Sequence, residues 1–203
     1  MIRTALEFIR KELDAYIVDR EQDPGNYALN NVVDLKPVYL PDGTYNLNNA
    51  MHITMMLIGV DEERREGKRP YYVPIENKQF MKLNPPVELD LSILFIAQST
   101  NYQTALRDLS DVVAFFQVYN VFDESKFPAL NADVSDPVNK PWQLIERLSF
   151  RLTSLTFEQQ NNLWATLGGK YIPSVVYKAN MLTVFDTRGK EAAPAITEMN
   201  FAD

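Results

Sequence analysis

A chain of 203 residues has the length of one domain, or of one domain with an extension, and can bury about 70% of its unfolded surface. Its 46% hydrophobic and 23% charged residues exclude disorder of the whole chain. Lys and Arg number 20 against 27 Asp and Glu, a net charge of −7, so no general positive field draws phosphates and no nucleic-acid partner is expected.

Ile2, Leu6, Ile9, Leu13 and Ile17 recur at helical steps. The spacing predicts an amphipathic helix over 2–19, ended by the turn Asp23-Pro24-Gly25-Asn26. Asn31 to Tyr39 reads as a short strand, with Pro37 at an edge or irregular position. Residues 51–60, MHITMMLIGV, fit a buried strand or a short helix, and β-branching at Ile53, Ile58 and Val60 tips the balance to a strand. Asp61 to Arg69 carries eight charges in nine residues and is expected as a solvated hairpin loop. After the break Asn84-Pro85-Pro86, Val87, Leu89, Leu91, Ile93 and Phe95 alternate with Glu88, Asp90 and Ser92, predicting a half-buried strand whose later half is central.

Thr100 and Gln103 suggest a capping box for a helix reaching Tyr119, with Tyr102, Leu106, Leu109, Val113 and Phe116 as its expected core face. Residues 121–141, with Pro128, Pro137 and Pro141, read as a long loop. Leu148, Phe150 and Leu152 alternate with Arg147, Ser149 and Arg151, predicting a strand that ends near Leu155. Thr156 and Gln159 then cap a short helix, FEQQNNLWATL, which Gly168-Gly169 stops. Ser174 to Phe185 is the last expected strand. From Asp186 the chain reads as an arm, either a frayed terminus or an extended segment docking on a neighbouring subunit. The order α-β-β-β-α-β-α-β implies an α+β fold, a mixed and mostly antiparallel sheet with helices packed on one face, over residues 1–185, followed by an extended arm over 186–203.

The chemistry available is sparse. No cysteine means no disulfide, thiolate nucleophile or Cys-built metal site, and one histidine, His52, excludes the metalloprotease His-Glu-x-x-His. His52 lies in an apolar run, where its ring is expected to pack and bond to backbone. Glu88 and Asp90 share a strand face about 7 Å apart, a separation at which carboxylate pairs can work, but beside the Pro-Pro break they read as a charged rim. Asp61, Glu62 and Glu63 are neutralised by Arg64, Arg65, Lys68 and Arg69, so no calcium site is expected. Gly168-Gly169-Lys170 follows a helix where a phosphate-binding loop would precede one. No cofactor and no metal are expected. The longest apolar run, Ile53 to Val60, is shorter than the roughly 20 residues of a membrane span, and Glu7, Glu12 and Asp14 are foreign to a signal peptide, so assembly in the cytoplasm is the expectation.

Several segments carry a resemblance: the Ile2 to Tyr16 helix before Asp23-Pro24, the run Asn84-Pro85-Pro86-Val87-Glu88-Leu89-Asp90-Leu91, the helix end Ala114-Phe115-Phe116-Gln117, and above all Leu155 to Lys178, with its Trp164-x-x-Leu167-Gly168-x-Lys170-Tyr171-x-Pro173-Ser174 pattern. Together they resemble the N-terminal domain family of the cap, or tube-terminator, proteins of extracellular contractile injection systems, of the antifeeding-prophage and virulence-cassette type. The resemblance implies a structural role without catalysis. Copies would form a six-fold ring on the baseplate-distal end of the inner tube, stop its growth and join the last sheath ring, as phage tail terminators do. Expected partners are copies of the chain itself, the inner-tube protein and the sheath protein. Candidate contact residues are Glu62, Arg64, Arg65 and Arg69 in the polar hairpin, Phe127 and Trp142 around the long loop, and Ile196, Met199 and Phe201 in the arm. A cargo- or effector-adapting module of the same particle is the alternative. An enzyme built on His52, Glu88 and Asp90 is the third reading.

Overall fold

A computed structural model describes residues 1–47, 52–62, 71–75, 79–83, 87–134, 144–183 and 191–194, with the backbone alone for 71–75, 79–83, 87, 182–183 and 191–194. Helix α1 spans Ile2–Glu21 and ends where Gln22 turns left-handed, φ 50°, just before the Asp23-Pro24 turn. Strands β1 (Val33–Leu35) and β2 (Ile53–Glu62) follow, then the hairpin β3 (Tyr71–Ile75) and β4 (Gln79–Leu83), and the long β5 (Val87–Ala97). Next come α2 (Tyr102–Val118), β6 (Val121–Asp123), a 3-10 turn at Pro128–Asn131, β7 (Ile145–Thr153), α3 (Phe157–Thr166), β8 (Ser174–Thr183) and β9 (Glu191–Pro194).

Six strands form the main sheet in the order β1-β2-β5-β8-β7-β6. Only β1 and β2 run parallel; every other pair is antiparallel. β5 is central, as its doubly apolar second half predicts: Leu91, Ile93 and Phe95 point to one face, and Leu94 and Ile96 to the other. On the first face α1 lays down Leu6, Phe8, Ile9, Leu13 and Ile17, and α2 adds Val112, Phe115 and Phe116. Phe116 is the hub of this core, its ring 4.4 Å from Tyr177, 4.6 Å from Phe150, 4.9 Å from Phe115 and 5.4 Å from Phe95. The pairs with Phe95 and Phe115 meet edge to face, so the positive edge of one ring lies against the negative face of another, while Phe150 stacks on Phe116.

The other face is divided. At one end α3 and the segment around Val38 and Leu47 cover Leu94, Ile96 and Val176 with Trp164. At the other end Asp90, Ser149, Arg151, Lys178 and Asn180 line a polar hollow. Of the three α-helices among the described residues, α1 and α2 therefore share a face and α3 stands on the opposite one.

α3 forms where its caps predict. The Gln159 amide N–H donates to Thr156 Oγ1 at 3.2 Å and the Thr156 N–H donates to Gln159 Oε1 at 3.0 Å, closing the capping box. At the far end the Gly168 N–H reaches the Ala165 carbonyl and the Gly169 N–H the Trp164 carbonyl, with Gly168 at φ 68°, where a side chain would be strained. Thr156→Ala is expected to lower the unfolding free energy by about 1 kcal/mol, read as a shift in denaturant midpoint at unchanged slope.

Four strands were not legible in the sequence. β3 and β4 pair antiparallel beyond the charged 61–69 stretch, and β9 joins them on the β4 side to make a second, three-stranded sheet. The segment after Asp186 thus contributes a strand and is not simply an unpaired arm. β6 lies inside the expected 121–141 loop and adds an edge to the main sheet through Val121 to Asp123. The expected solvated hairpin also begins later than its charges suggest, since Asp61 and Glu62 continue β2 and pair with Asp90 and Leu89.

Candidate functional site

The largest departure from the sequence reading is α2. Its N-cap is Asn101, whose side chain accepts the Gln103 N–H at 2.9 Å, so the Thr100–Gln103 box does not form. The helix is rotated relative to the expected core face. Its buried residues are Ala105, Asp108, Asp111, Val112, Phe115 and Phe116, whereas Tyr102 is 64% exposed, Leu106 43% and Val113 37%. Two aspartates point inward and three apolar residues outward, the reverse of the amphipathic rule.

The inward aspartates explain the rotation. Asp108 is fully buried; Tyr27 donates its hydroxyl to one oxygen at 2.7 Å, and His52 Nδ1 lies 3.0 Å from the other. His52 Nε2 lies 2.9 Å from the Asn26 carbonyl. Both imidazole nitrogens face acceptors, so both must donate, and the ring is an imidazolium. The hydrogen bond to Asp108 raises the His52 pKa above its ordinary value, against the opposing effect of burial. Tyr27 stacks on the imidazole at 4.3 Å, and burial, followed by the Asp108 contact, pushes its phenol pKa upward. Arg107 donates to the Tyr27 hydroxyl, lies over its ring and pairs with Glu21 at 3.3 Å. Asp111 meets Arg20 at 2.9 Å, yet burial and then the neighbouring Glu21 raise its pKa to about 6, because the half-exposed guanidinium is screened by water.

This knot joins α1, the 23–31 turn, β2 and α2. Around His52 its bonds are made: each His52 nitrogen and each Asp108 oxygen holds a partner, while Asp111 Oδ2 is buried without one. His52 does bond to backbone as expected, but its carboxylate partner is missed by the sequence reading because Asp108 lies 56 positions away. The three groups of the enzyme reading are not brought together. His52 sits beside Gln98, whose N–H its carbonyl accepts, and Asp90 is eight residues further back along β5, about 27 Å at strand rise. Asp90 is instead held by Lys178 at 2.8 Å and Asn180 at 3.0 Å. Among the described residues no cluster of three or more acidic or imidazole side chains is placed to hold a metal, and no helix is long and apolar enough to cross a membrane.

What remains is surface. The outward stripe Tyr102, Leu106 and Val113 gives α2 an exposed apolar face. Of the expected contact residues, Glu62 ends β2 on the exposed side. Phe127 is used in the core, edge-on to Phe8 and close to Phe122, because the 3-10 turn folds back over α1. Arg64, Arg65, Arg69, Trp142, Ile196, Met199 and Phe201 lie outside the described residues. The sequence reading missed the α2 stripe as a surface because, without the knot, an apolar stripe at this spacing predicts core.

No curated protein matches the sequence. Two solved structures are similar over nearly the whole chain. The cryo-EM structure of the anti-feeding prophage cap (AFP tube terminating cap) aligns at TM-score 0.55 and 15% identity, covering 100% of this chain and 60% of that one. The PVC sheath/tube terminator of an extracellular contractile injection system, in its extended state, aligns at TM-score 0.52 and 12% identity, covering 94% of this chain and 62% of that one. At these identities the likeness is one of fold, and the chain spans about three fifths of the length of either structure. The α+β reading and the mostly antiparallel sheet stand. A family model matches residues 4–198, reaching beyond Asp186 into β9, and the chain belongs to the family it describes, the Pvc16 N-terminal domain.

Proposed function

We propose that this chain caps the inner tube of a contractile injection particle and catalyses nothing. Subunits of a growing tube associate head to tail, a contact that has no natural end, so length control requires a protein that docks on the last ring and presents no equivalent surface outward. The single observation that carries the reading is the alignment of the entire chain with a tube-terminating cap, coupled to membership of the family. The knot supports it from the other side, since the chain's only imidazole is committed to holding helices together.

In this reading copies form a six-fold ring, contact tube and sheath proteins, and assemble in the cytoplasm as part of the particle. The α2 stripe is the described surface best suited to such a contact, and Glu62, Arg64, Arg65, Arg69, Trp142, Ile196, Met199 and Phe201 are further contact candidates. Leu106→Glu together with Val113→Glu is expected to leave thermal unfolding within about 1 kcal/mol of the parent, because both sites are solvent-exposed, while reducing incorporation into particles at least tenfold. Deleting the gene tests the function itself. Electron micrographs should show tubes of uncontrolled length or particles without a stable sheath; uniform particles of normal length would overturn the reading.

A further inference from the structure

Trp164 belongs to the segment that carries the family pattern, and its indole raises a question the fold does not answer. The residue is only 3% exposed, and its Nε1–H is buried without an acceptor. Leaving such a donor unpaired costs stability, so native structures rarely do it without a reason. The same side chain lines two adjoining hollows of about 460 Å³ each, one bounded by Phe157 and Tyr171, the other by Tyr39 and Tyr45. Phe157 is 92% exposed, and Tyr171 meets the indole edge-on at 6.1 Å. Among the described residues Lys170 is the only charged side chain lining either hollow.

An aromatic trough with one cation at its rim is built for an extended peptide that brings apolar side chains and a carboxylate. The chain contains one such peptide outside the described residues. Residues 195–203, Ala-Ile-Thr-Glu-Met-Asn-Phe-Ala-Asp, follow β9 and carry Ile196, Met199 and Phe201 with Glu198 and Asp203 and no basic residue. Nine residues span about 30 Å when extended, enough to cross both hollows. We infer that the 195–203 segment docks in the Trp164 trough, with its apolar side chains against the aromatic walls and its acidic groups toward Lys170. The inference does not depend on what the protein terminates.

The absence of cysteine makes disulfide trapping clean. In the full chain, Asn161→Cys at the trough is paired in turn with Ile196→Cys, Met199→Cys and Phe201→Cys, and each is compared with the same tail cysteine paired with Val113→Cys on the opposite face. At least one trough pair should oxidise ten or more times faster than its Val113 control, and Lys170→Glu should slow that pair about fivefold. Non-reducing gels then assign the bond to one chain or to two. A second measurement follows the Trp164 indole N–H by NMR in the cysteine-free protein, where Phe201→Ala should shift it. Trapping no faster than the controls, with an indole resonance indifferent to Phe201→Ala, overturns the proposal. Trapping that succeeds in a chain whose deletion leaves particles normal would sink the cap reading and leave this one standing.

Discussion

Alanine at Asp14 is expected to cost about 4 kcal/mol, the largest loss of any single polar substitution in the described chain. The carboxylate is fully buried on the inner face of α1 and accepts three backbone N–H groups, from Asn30 at 2.5 Å, Val32 at 2.9 Å and Val33 at 3.0 Å. The Val32 and Val33 donors are buried, and each costs about 1–3 kcal/mol when left unpaired, whereas the Asn30 N–H can turn to water. The loss should appear as a lowered denaturant midpoint. It should also appear locally, since Asp14 ties α1 to the segment that leads into β1, the edge of the main sheet. Amide exchange at Val33 to Leu35 should accelerate more than exchange in β5 or β8. Asp14→Asn keeps one acceptor oxygen for Val32 and Val33 and turns a donor toward Asn30, so it should cost less than alanine. Equal losses for the two variants, or exchange that rises uniformly over the sheet, would show that Asp14 does not act through these bonds.

The same residue shows what a sequence can and cannot disclose. α1, β5, α3 and β8 were legible because their signals are local: a helical apolar stripe, a period of two, a capping box, a pair of glycines. Asp14 sits in that helical pattern as one more polar residue, and nothing nearby in the chain says that its partners lie 16 to 19 positions on. α2 fails for the same reason and in the more instructive direction. Tyr102, Leu106, Leu109 and Val113 make a valid apolar stripe, but Tyr27, His52 and Arg20 come from three other segments to pair with Asp108 and Asp111, and these pairings rotate the helix. The short strand β6 is hidden among turn residues because its pairing with β7 is set by contacts outside it. Asn131, for example, accepts the Ile145 N–H at 2.9 Å and donates to the Ile145 carbonyl at 3.1 Å, fixing where β7 begins. β3, β4 and β9 lie in stretches whose charge and proline content mimic loop. The apolar surface of α2 was therefore visible as a pattern, and only the buried network reveals that the pattern faces outward.

That network also makes stability depend on pH with a definite sign. His52 is held as an imidazolium, its pKa raised above the ordinary 6.5 chiefly by the hydrogen bond to Asp108. A group whose folded pKa lies above its unfolded one contributes its full stabilisation below pH 6.5 and loses it as pH rises through the folded value. Asp111, raised to about 6 from 3.8, likewise binds its proton more tightly in the folded state, so its ionisation penalises the fold between pH 3.8 and about 6. Both effects run the same way. Unfolding free energy should fall as pH rises from 5 to 8, and above about pH 6.5 the remaining slope belongs to His52. The carboxylates held below their usual range, Asp23, Asp42, Asp90 and Asp123, act in the opposite sense only nearer pH 4, and Glu12, raised by burial, adds to the fall below about pH 6. His52→Gln should cost about 3 kcal/mol at pH 6, because it removes the cation facing a fully buried carboxylate that keeps only the Tyr27 hydroxyl. It should also flatten the profile above pH 6.5 while preserving the slope below pH 6, most of which Asp111→Asn should remove in turn. Urea unfolding at half-unit pH steps measures all three profiles, and a parent protein that gains stability from pH 6 to 8 would mean that His52 is neutral in the folded chain.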